Sequence, residues 1–179
     1  MTQIAIEQIK KSIRDVPNFP KKGIIFKDIT TLLKNYTYFA AAVDYLYQRY
    51  ENVKIDKIAA IEARGFIIGS ALAYRMNCGF VPLRKPGKLP AEKISETYEL
   101  EYGFDSLEMH VDAVRKSEQV LLVDDLIATG GTALAGCRMI EKCGAHIAGI
   151  AFLVELSFLQ GRKLLEGYDI FSLITYESE

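Results

Sequence analysis

Apolar positions along the chain switch between a helical period and a strand period, and the switches mark out the elements. Ile4, Ile6, Ile9 and Ile13 are spaced among polar residues as on a short amphipathic helix over 3–13, which Pro17 and Pro20 end. A Pro-Lys-Lys-Gly turn then delivers Ile24, Ile25 and Phe26, a short apolar run that reads as an edge strand or a hydrophobic hairpin. Tyr36, Phe39, Ala40, Val43, Leu46, Tyr47 and Tyr50 form one stripe of a helix, and an aromatic stripe at this spacing is a core face. Short apolar runs at 57–61, 79–83, 107–111, 120–123, 147–154 and 170–174 predict strands. Helices are predicted over 66–76, from Thr132 to a stop at Gly144, and over 156–165. Gly69, Ser70 and Ala71 make the middle of the 66–76 helix small enough for close packing.

The strand–helix–strand unit over 57–83 favours parallel pairing with a right-handed crossover. The whole pattern is α/β: a central, mostly parallel sheet flanked by helices, with an N-terminal appendage. Polar loops follow three of the strands, at 62–65, 84–88 and 124–132. If the strands are parallel, those loops gather on one rim, at the carboxyl ends where such sheets bind ligands. Residues 84–90 are basic and rich in Pro and Gly, and 91–106 alternate polar and aromatic residues as a hairpin arm outside the core would. An excursion of that length in a small domain is usually a lid or a binding loop.

The stretch that organises the rest runs from Val120 to Thr132: four apolar residues, then Asp124 and Asp125, then a turn of small residues, Ala128-Thr129-Gly130-Gly131-Thr132, opening a helix. A small-residue turn at a helix start converges backbone N–H groups on an anion, and the helix end adds positive partial charge. Gly130 and Gly131 permit close ligand approach, and Thr129 and Thr132 add hydroxyl donors. Carboxylates repel phosphate, so Asp124 and Asp125 suit sugar hydroxyls beside it, as acceptors. A phosphorylated ribose satisfies both halves. Neither G-x-x-x-x-G-K-[ST] nor G-x-G-x-x-G occurs, so the nucleoside-triphosphate and dinucleotide loops do not fit.

Composition narrows the setting. A chain of 179 residues suits one domain, and its net charge of −1 provides no general attraction for nucleic acid or anionic membrane. Three cysteines, Cys78, Cys137 and Cys143, have no zinc spacing, and an odd count argues against a disulfide framework, which favours a reducing cytoplasm. No apolar run is long enough to span a bilayer, and the N-terminus lacks signal-peptide character. His110 and His146 have no recognisable catalytic partners, and no Ser/His/Asp or Cys/His arrangement stands out.

The 120–132 stretch resembles the phosphoribosyl-diphosphate (PRPP) binding motif of the type I phosphoribosyltransferases. The resemblance extends to the adenine phosphoribosyltransferases through Phe19-Pro20, Phe26-Lys27-Asp28-Ile29, Glu62-Ala63-Arg64-Gly65-Phe66, Arg84-Lys85-Pro86-Gly87-Lys88-Leu89-Pro90 and Tyr98-Glu99-Leu100-Glu101-Tyr102-Gly103. It implies the type I fold in a single domain over 1–179, with residues 1–35 as an N-terminal hood and 84–106 as basic loop and mobile arm. The implied reaction is adenine plus PRPP giving AMP and diphosphate, with Mg2+ held mainly by the diphosphate and water rather than by a protein cage. Phe26 would pack on the purine, while backbone groups of Ile25 and Lys27 read its amino edge. Lys27 departs from the arginine common in the family, a change that a backbone contact survives. Arg64 would hold diphosphate beside a peptide bond that is often cis in this fold, and Arg84, Lys85 and Lys88 would bind the diphosphate or its magnesium. Glu101 would handle the adenine proton and Tyr102 would close over the reacting centre. The family also implies a homodimer. A sister enzyme for another base and a PRPP-sensing regulator are the alternatives. The second needs a DNA-binding module for which the chain has neither basic excess nor spare length.

Overall fold

Val120 to Val123 become the middle of the molecule because both of their faces are covered. The structure, a computed structural model, describes residues 4–99 and 103–178. In it, β7 (Gln119–Ile127) lies at the centre of a five-stranded sheet, between β3 (Lys57–Ile61) and β8 (His146–Leu156). Outside them lie β4 (Gly79–Leu83) and β9 (Ile170–Tyr176), in the order β4-β3-β7-β8-β9, with every pairing parallel. Alternate residues serve opposite cores. Ile58, Ala60, Leu121, Val123, Ala151 and Leu153 pack beneath α3 (Tyr36–Tyr50) and α4 (Arg64–Met76). Ala59, Ile61, Val120, Leu122, Ile150 and Phe152 face α5 (Gly131–Lys142) and the antiparallel hairpin of β5 (Lys93–Glu99) and β6 (Phe104–His110). Burial on both sides is why these strands read as unbroken apolar runs rather than as an alternation.

Several boundaries differ from the sequence reading, each for a local reason. The first helix, α1 (Ile6–Lys11), stops early, and β1 (Arg14–Pro17) follows it. This strand pairs antiparallel with β2 (Ile25–Asp28) in a two-stranded ribbon, so Pro17 closes a strand instead of ending a helix. A one-turn helix, α2 (Thr30–Leu33), follows, where the Asp28 carboxylate accepts the Thr30 N–H at 2.9 Å. Tyr36 belongs to the predicted core stripe but is 84% exposed, being the first residue of α3 and beyond the sheet's cover. The 156–165 helix is instead two 3-10 turns, Ser157–Leu159 and Gly161–Leu165, separated by Gln160 with φ +57°. The hairpin is not outside the core: Tyr98, Leu107 and Met109 are buried against α5 and the sheet. Cys78, Cys137 and Cys143 are free thiols. Among the described residues no helix is long and apolar enough to cross a membrane.

β7 runs past the acid pair to Ile127, whereas the sequence reading ended the strand at Val123, and this boundary matters most. On its β3 side, β7 loses its partner after Val123, but on its β8 side pairing continues to Ile127. Asp124 and Asp125 therefore sit where half of the strand's neighbours have gone. The loops after β3, β4 and β7 share one rim, as parallel pairing requires.

Close packing of α4 on β3 depends on Gly69, where an added Cβ would stand 2.6 Å from the Ala60 Cβ. Gly69→Ala is expected to destabilise the fold by about 1–3 kcal/mol through overpacking, read as a lower midpoint in urea at unchanged slope.

Candidate active site

Three cavities adjoin along the rim. The first, about 90 Å³, is enclosed by Ala128, Thr129, Gly130 and Thr132, with Asp124 and Phe152 at its floor. No side chain caps the start of α5, and Gly130 precedes it at φ +86°. The turn is braced from behind by Gly161. A Cβ on Gly161 would run into the Ala128 carbonyl, and one on Gly130 into the Gly161 carbonyl. Gly131 is the first residue of α5 and is buried. The turn expected to bind an anion thus borders a small cavity at the start of α5. Gly161 was missed, because its role exists only where the 3-10 segment meets the turn.

The second cavity, about 280 Å³, shares Asp124, Leu126 and Thr132 with the first and adds Glu62, Arg64, Lys85, Tyr98 and Asp125. Arg64 donates from Nε to Asp125 Oδ2 at 2.5 Å. The Asp125 N–H donates to Asp124 Oδ1 at 2.8 Å. The start of α4 comes down onto the pair at Gly65, where a Cβ would stand 2.7 Å from Asp124 Oδ1. Burial, and then the neighbouring Asp125 charge, push the Asp124 carboxyl well above the usual carboxylate range, against the opposing Asp125 N–H. The Glu62–Ala63 peptide preceding Arg64 is cis, as the resemblance implied.

The basic loop is brought to this cavity, but its cations arrive with partners. Arg84 Nε donates to Glu62 at 2.6 Å, and Lys88 pairs with the other Glu62 oxygen. Burial acts to raise the Glu62 carboxyl, but the Lys88 and Arg84 bonds outweigh it and hold it low. Lys85 lines the cavity itself and donates to the Tyr98 hydroxyl at 2.6 Å and to Asp105. Arg84 also bridges to β6 through paired backbone bonds with Glu108, whose carboxylate accepts the Gly87 N–H at 3.0 Å. Glu62, Tyr98, Asp105 and Glu108 hold the basic loop, and no spacing in the sequence marks them as its partners. Glu101 and Tyr102 lie outside the described residues.

The third cavity, about 360 Å³, meets the second at Arg64 and is lined by Val16, Phe19, Phe26, Asp28 and Thr30. Phe19 and Phe26 meet edge to face with centroids 5.2 Å apart, and the Arg64 guanidinium carbon lies 5.2 Å from the Phe26 centroid. The period of two in β2 turns Ile25 and Lys27 away from the face that Phe26 presents. Lys27 is buried, bonded to Asp15 at 2.9 Å, and stands 4.4 Å from the Tyr176 ring centroid. Its side chain anchors the ribbon to the end of β9, leaving only backbone for the cavity. Among the described residues no group of three or more His, Cys, Asp or Glu could hold a metal ion.

A parallel sheet with an acid pair and a small-residue turn into a helix at its carboxyl rim is the arrangement of a phosphoribosyltransferase domain. The family described as "Phosphoribosyl transferase domain" matches residues 28–176. An adenine phosphoribosyltransferase of Desulfitobacterium hafniense is 57% identical over 93% of this chain and 96% of its own. The solved adenine phosphoribosyltransferase of Thermoanaerobacter pseudethanolicus superposes with a TM-score of 0.94 at 56% identity, covering 96% of this chain and 100% of its own. That of Saccharomyces cerevisiae, solved with adenine and D-2,5-dideoxy-2,5-imino-altritol 1,6-bisphosphate, gives 0.89 at 40% identity, over 94% and 97%. The chain belongs to the phosphoribosyltransferase family, on the branch of the adenine phosphoribosyltransferases.

The raised Asp124 carboxyl yields a prediction with a definite sign. A carboxyl that titrates higher in the folded than in the unfolded chain makes the fold less stable as pH rises through that window. Asp124→Asn keeps an oxygen for the Asp125 N–H but removes the charge. It is expected to raise the melting temperature at neutral pH, with the gain shrinking as pH falls towards the ordinary carboxylate range, while AMP binding weakens. A melting temperature that drops at neutral pH would contradict this.

Proposed function

We propose that the chain transfers the 5-phosphoribosyl group of PRPP to adenine, giving AMP and diphosphate in purine salvage. The observation that carries this is the order of the three cavities along one rim: an anion cup, an acid- and cation-lined chamber, and an aromatic slot. They match the phosphate, the ribose with its diphosphate, and the base. The yeast relative's complex with adenine and a bisphosphate supports the same division.

In this reading the 5-phosphate sits on the N–H groups and hydroxyls of Ala128–Thr132, and Asp124 and Asp125 accept the ribose hydroxyls. C1 then faces Arg64 and Lys85, whose charges favour departure of diphosphate with the electron pair of the C1–O bond. Positive charge develops on C1 and the ring oxygen beside the two carboxylates. The adenine, held on Phe26 and read by the backbone of Ile25 and Lys27, presents a ring nitrogen to C1. A new C–N bond forms as that nitrogen's proton is lost, and Glu101 is the group placed by resemblance to take it. Tyr102 covers the centre, and exclusion of water prevents hydrolysis at C1. Arg84 and Lys88 back the diphosphate from the basic loop.

Magnesium fits this site as a passenger of the substrate, because the nearby donors are hard carboxylate oxygens and the ion prefers to keep its waters and phosphate oxygens. When bound it neutralises charge on the leaving group. The hood of residues 1–35, the arm of 84–106, a homodimer and a cytoplasmic setting complete the proposal. The free thiols agree with a reducing setting.

The test is turnover with adenine, PRPP and magnesium, with guanine and hypoxanthine as controls. Adenine is expected to be consumed at least ~100-fold more efficiently, since a site built on hydrogen bonds to one edge strongly rejects a base that lacks them. Glu101→Ala is expected to lower kcat by about 100-fold or more with little change in the PRPP KM, as loss of a proton acceptor should. Asp124→Ala together with Asp125→Ala should chiefly weaken PRPP binding. Unchanged kinetics in both variants would remove the assignment.

A further inference from the structure

Lys85 is bonded to both strands of the hairpin neck. Tyr98 on β5 and Asp105 on β6 are register partners, and the Lys85 ammonium donates to the hydroxyl of one and the carboxylate of the other. The same ammonium lines the chamber assigned above to diphosphate. We propose that Asp105 is a positioning residue, an internal counter-anion that occupies Lys85 in the ligand-free enzyme, yields it to diphosphate, and takes it back as diphosphate leaves. This rests on reading that chamber as the diphosphate site.

The neighbouring bonds show why Asp105 can let go. Its Oδ1 accepts the Ser106 N–H at 2.7 Å, and its Oδ2 also accepts the Tyr98 hydroxyl at 3.3 Å. When Lys85 turns to a ligand, the carboxylate keeps a backbone donor and a hydroxyl donor, so its charge is not stranded. The Tyr98 hydroxyl accepts from Lys85 while donating to Asp105, and it retains the second bond when the first is broken. Glu62 is built the other way. Its side chain is only 6% exposed and its two oxygens are taken by Arg84 and Lys88, so releasing both would leave a buried carboxylate without a cation. Glu62 is therefore a fixed strut, and Asp105, 32% exposed, is the partner that exchanges. Burial acts to raise its carboxyl, and the Lys85 bond and charge together with the Ser106 N–H and the Tyr98 hydroxyl outweigh it and hold it low.

A negative group paired with Lys85 opposes an anionic ligand in two ways, by competing for the cation and by repelling the incoming charge. It also hastens release of the product anion, because Lys85 has a partner to return to. The consequence separates this role from simple support of the hairpin. Removing the charge should tighten diphosphate binding, whereas a loosened neck should weaken it.

The test is calorimetric titration of diphosphate with magnesium into the full-length protein. Asp105→Asn is expected to bind about two- to fivefold tighter than wild type, the range of a partly exposed ion pair. Tyr98→Phe keeps the buried ring but removes the fallback donor, so Asp105 should hold Lys85 harder and binding should weaken by a similar factor. Opposite signs in the two variants support the proposal. Weaker or equal binding in Asp105→Asn, with a melting temperature near wild type, overturns it and leaves the proposed function intact. If wild type fails to bind diphosphate, or Lys85→Met binds it as well as wild type, the reading of the chamber falls and takes this inference with it.

Discussion

Two adjacent carboxylates at the mouth of a buried parallel sheet must be held together against their own repulsion, and the rim is arranged to do this. Arg64 neutralises one from its side chain, and a backbone N–H steadies the other. The missing Cβ of Gly65 brings the start of α4 against Asp124, adding the positive end of a helix dipole where charge is hardest to accommodate. The start of α5, which no side chain caps, points its own positive end at the neighbouring cavity. Two helices thus aim their N-termini at one rim. This requires their strands to be parallel and adjacent, and the order β4-β3-β7-β8-β9 supplies that.

Much of this was legible because the chain states it locally. The runs at 57–61 and 79–83 have the bounds of β3 and β4, since each is an apolar stretch closed by turn residues, the first almost wholly buried and the second buried at Val81 and Leu83. The turn into α5 could be read because small residues, hydroxyls and a helix start are contiguous. Local pattern failed where an element has no buried face to announce it. Arg14–Pro17 is mostly exposed and pairs only with β2, so no periodicity marks it. The 156–165 segment has helix-like spacing, but Gly161 is needed flat against the Ala128–Gly130 turn, which a regular helix would not allow. Glu62, Tyr98 and Asp105 were invisible as partners because they acquire their roles only on meeting the basic loop in space.

The basic loop itself shows how a chain stores cations before its ligand arrives. Isolated cations facing one chamber would repel one another and disorder the loop. Glu62 and Asp105 offset that, and Glu108 fixes the loop's backbone. The ion pairs are therefore part of the fold itself.

The hood follows a different logic. An aromatic slot gains affinity for any flat heterocycle by excluding water, but it gains selectivity only from hydrogen-bonding groups at the heterocycle's edge. In β2 the side chains flanking Phe26 are turned the other way, and Lys27 is spent on Asp15 and the Tyr176 ring. What β2 can offer the slot besides Phe26 is main chain, whose position depends on how firmly the ribbon is held. The Lys27 and Lys10 contacts with the Tyr176 ring tie that ribbon and α1 to the end of β9. Lys27 thereby holds the ribbon through its side chain, and a lysine suffices for that anchor because one ammonium reaches both the Asp15 carboxylate and the Tyr176 ring.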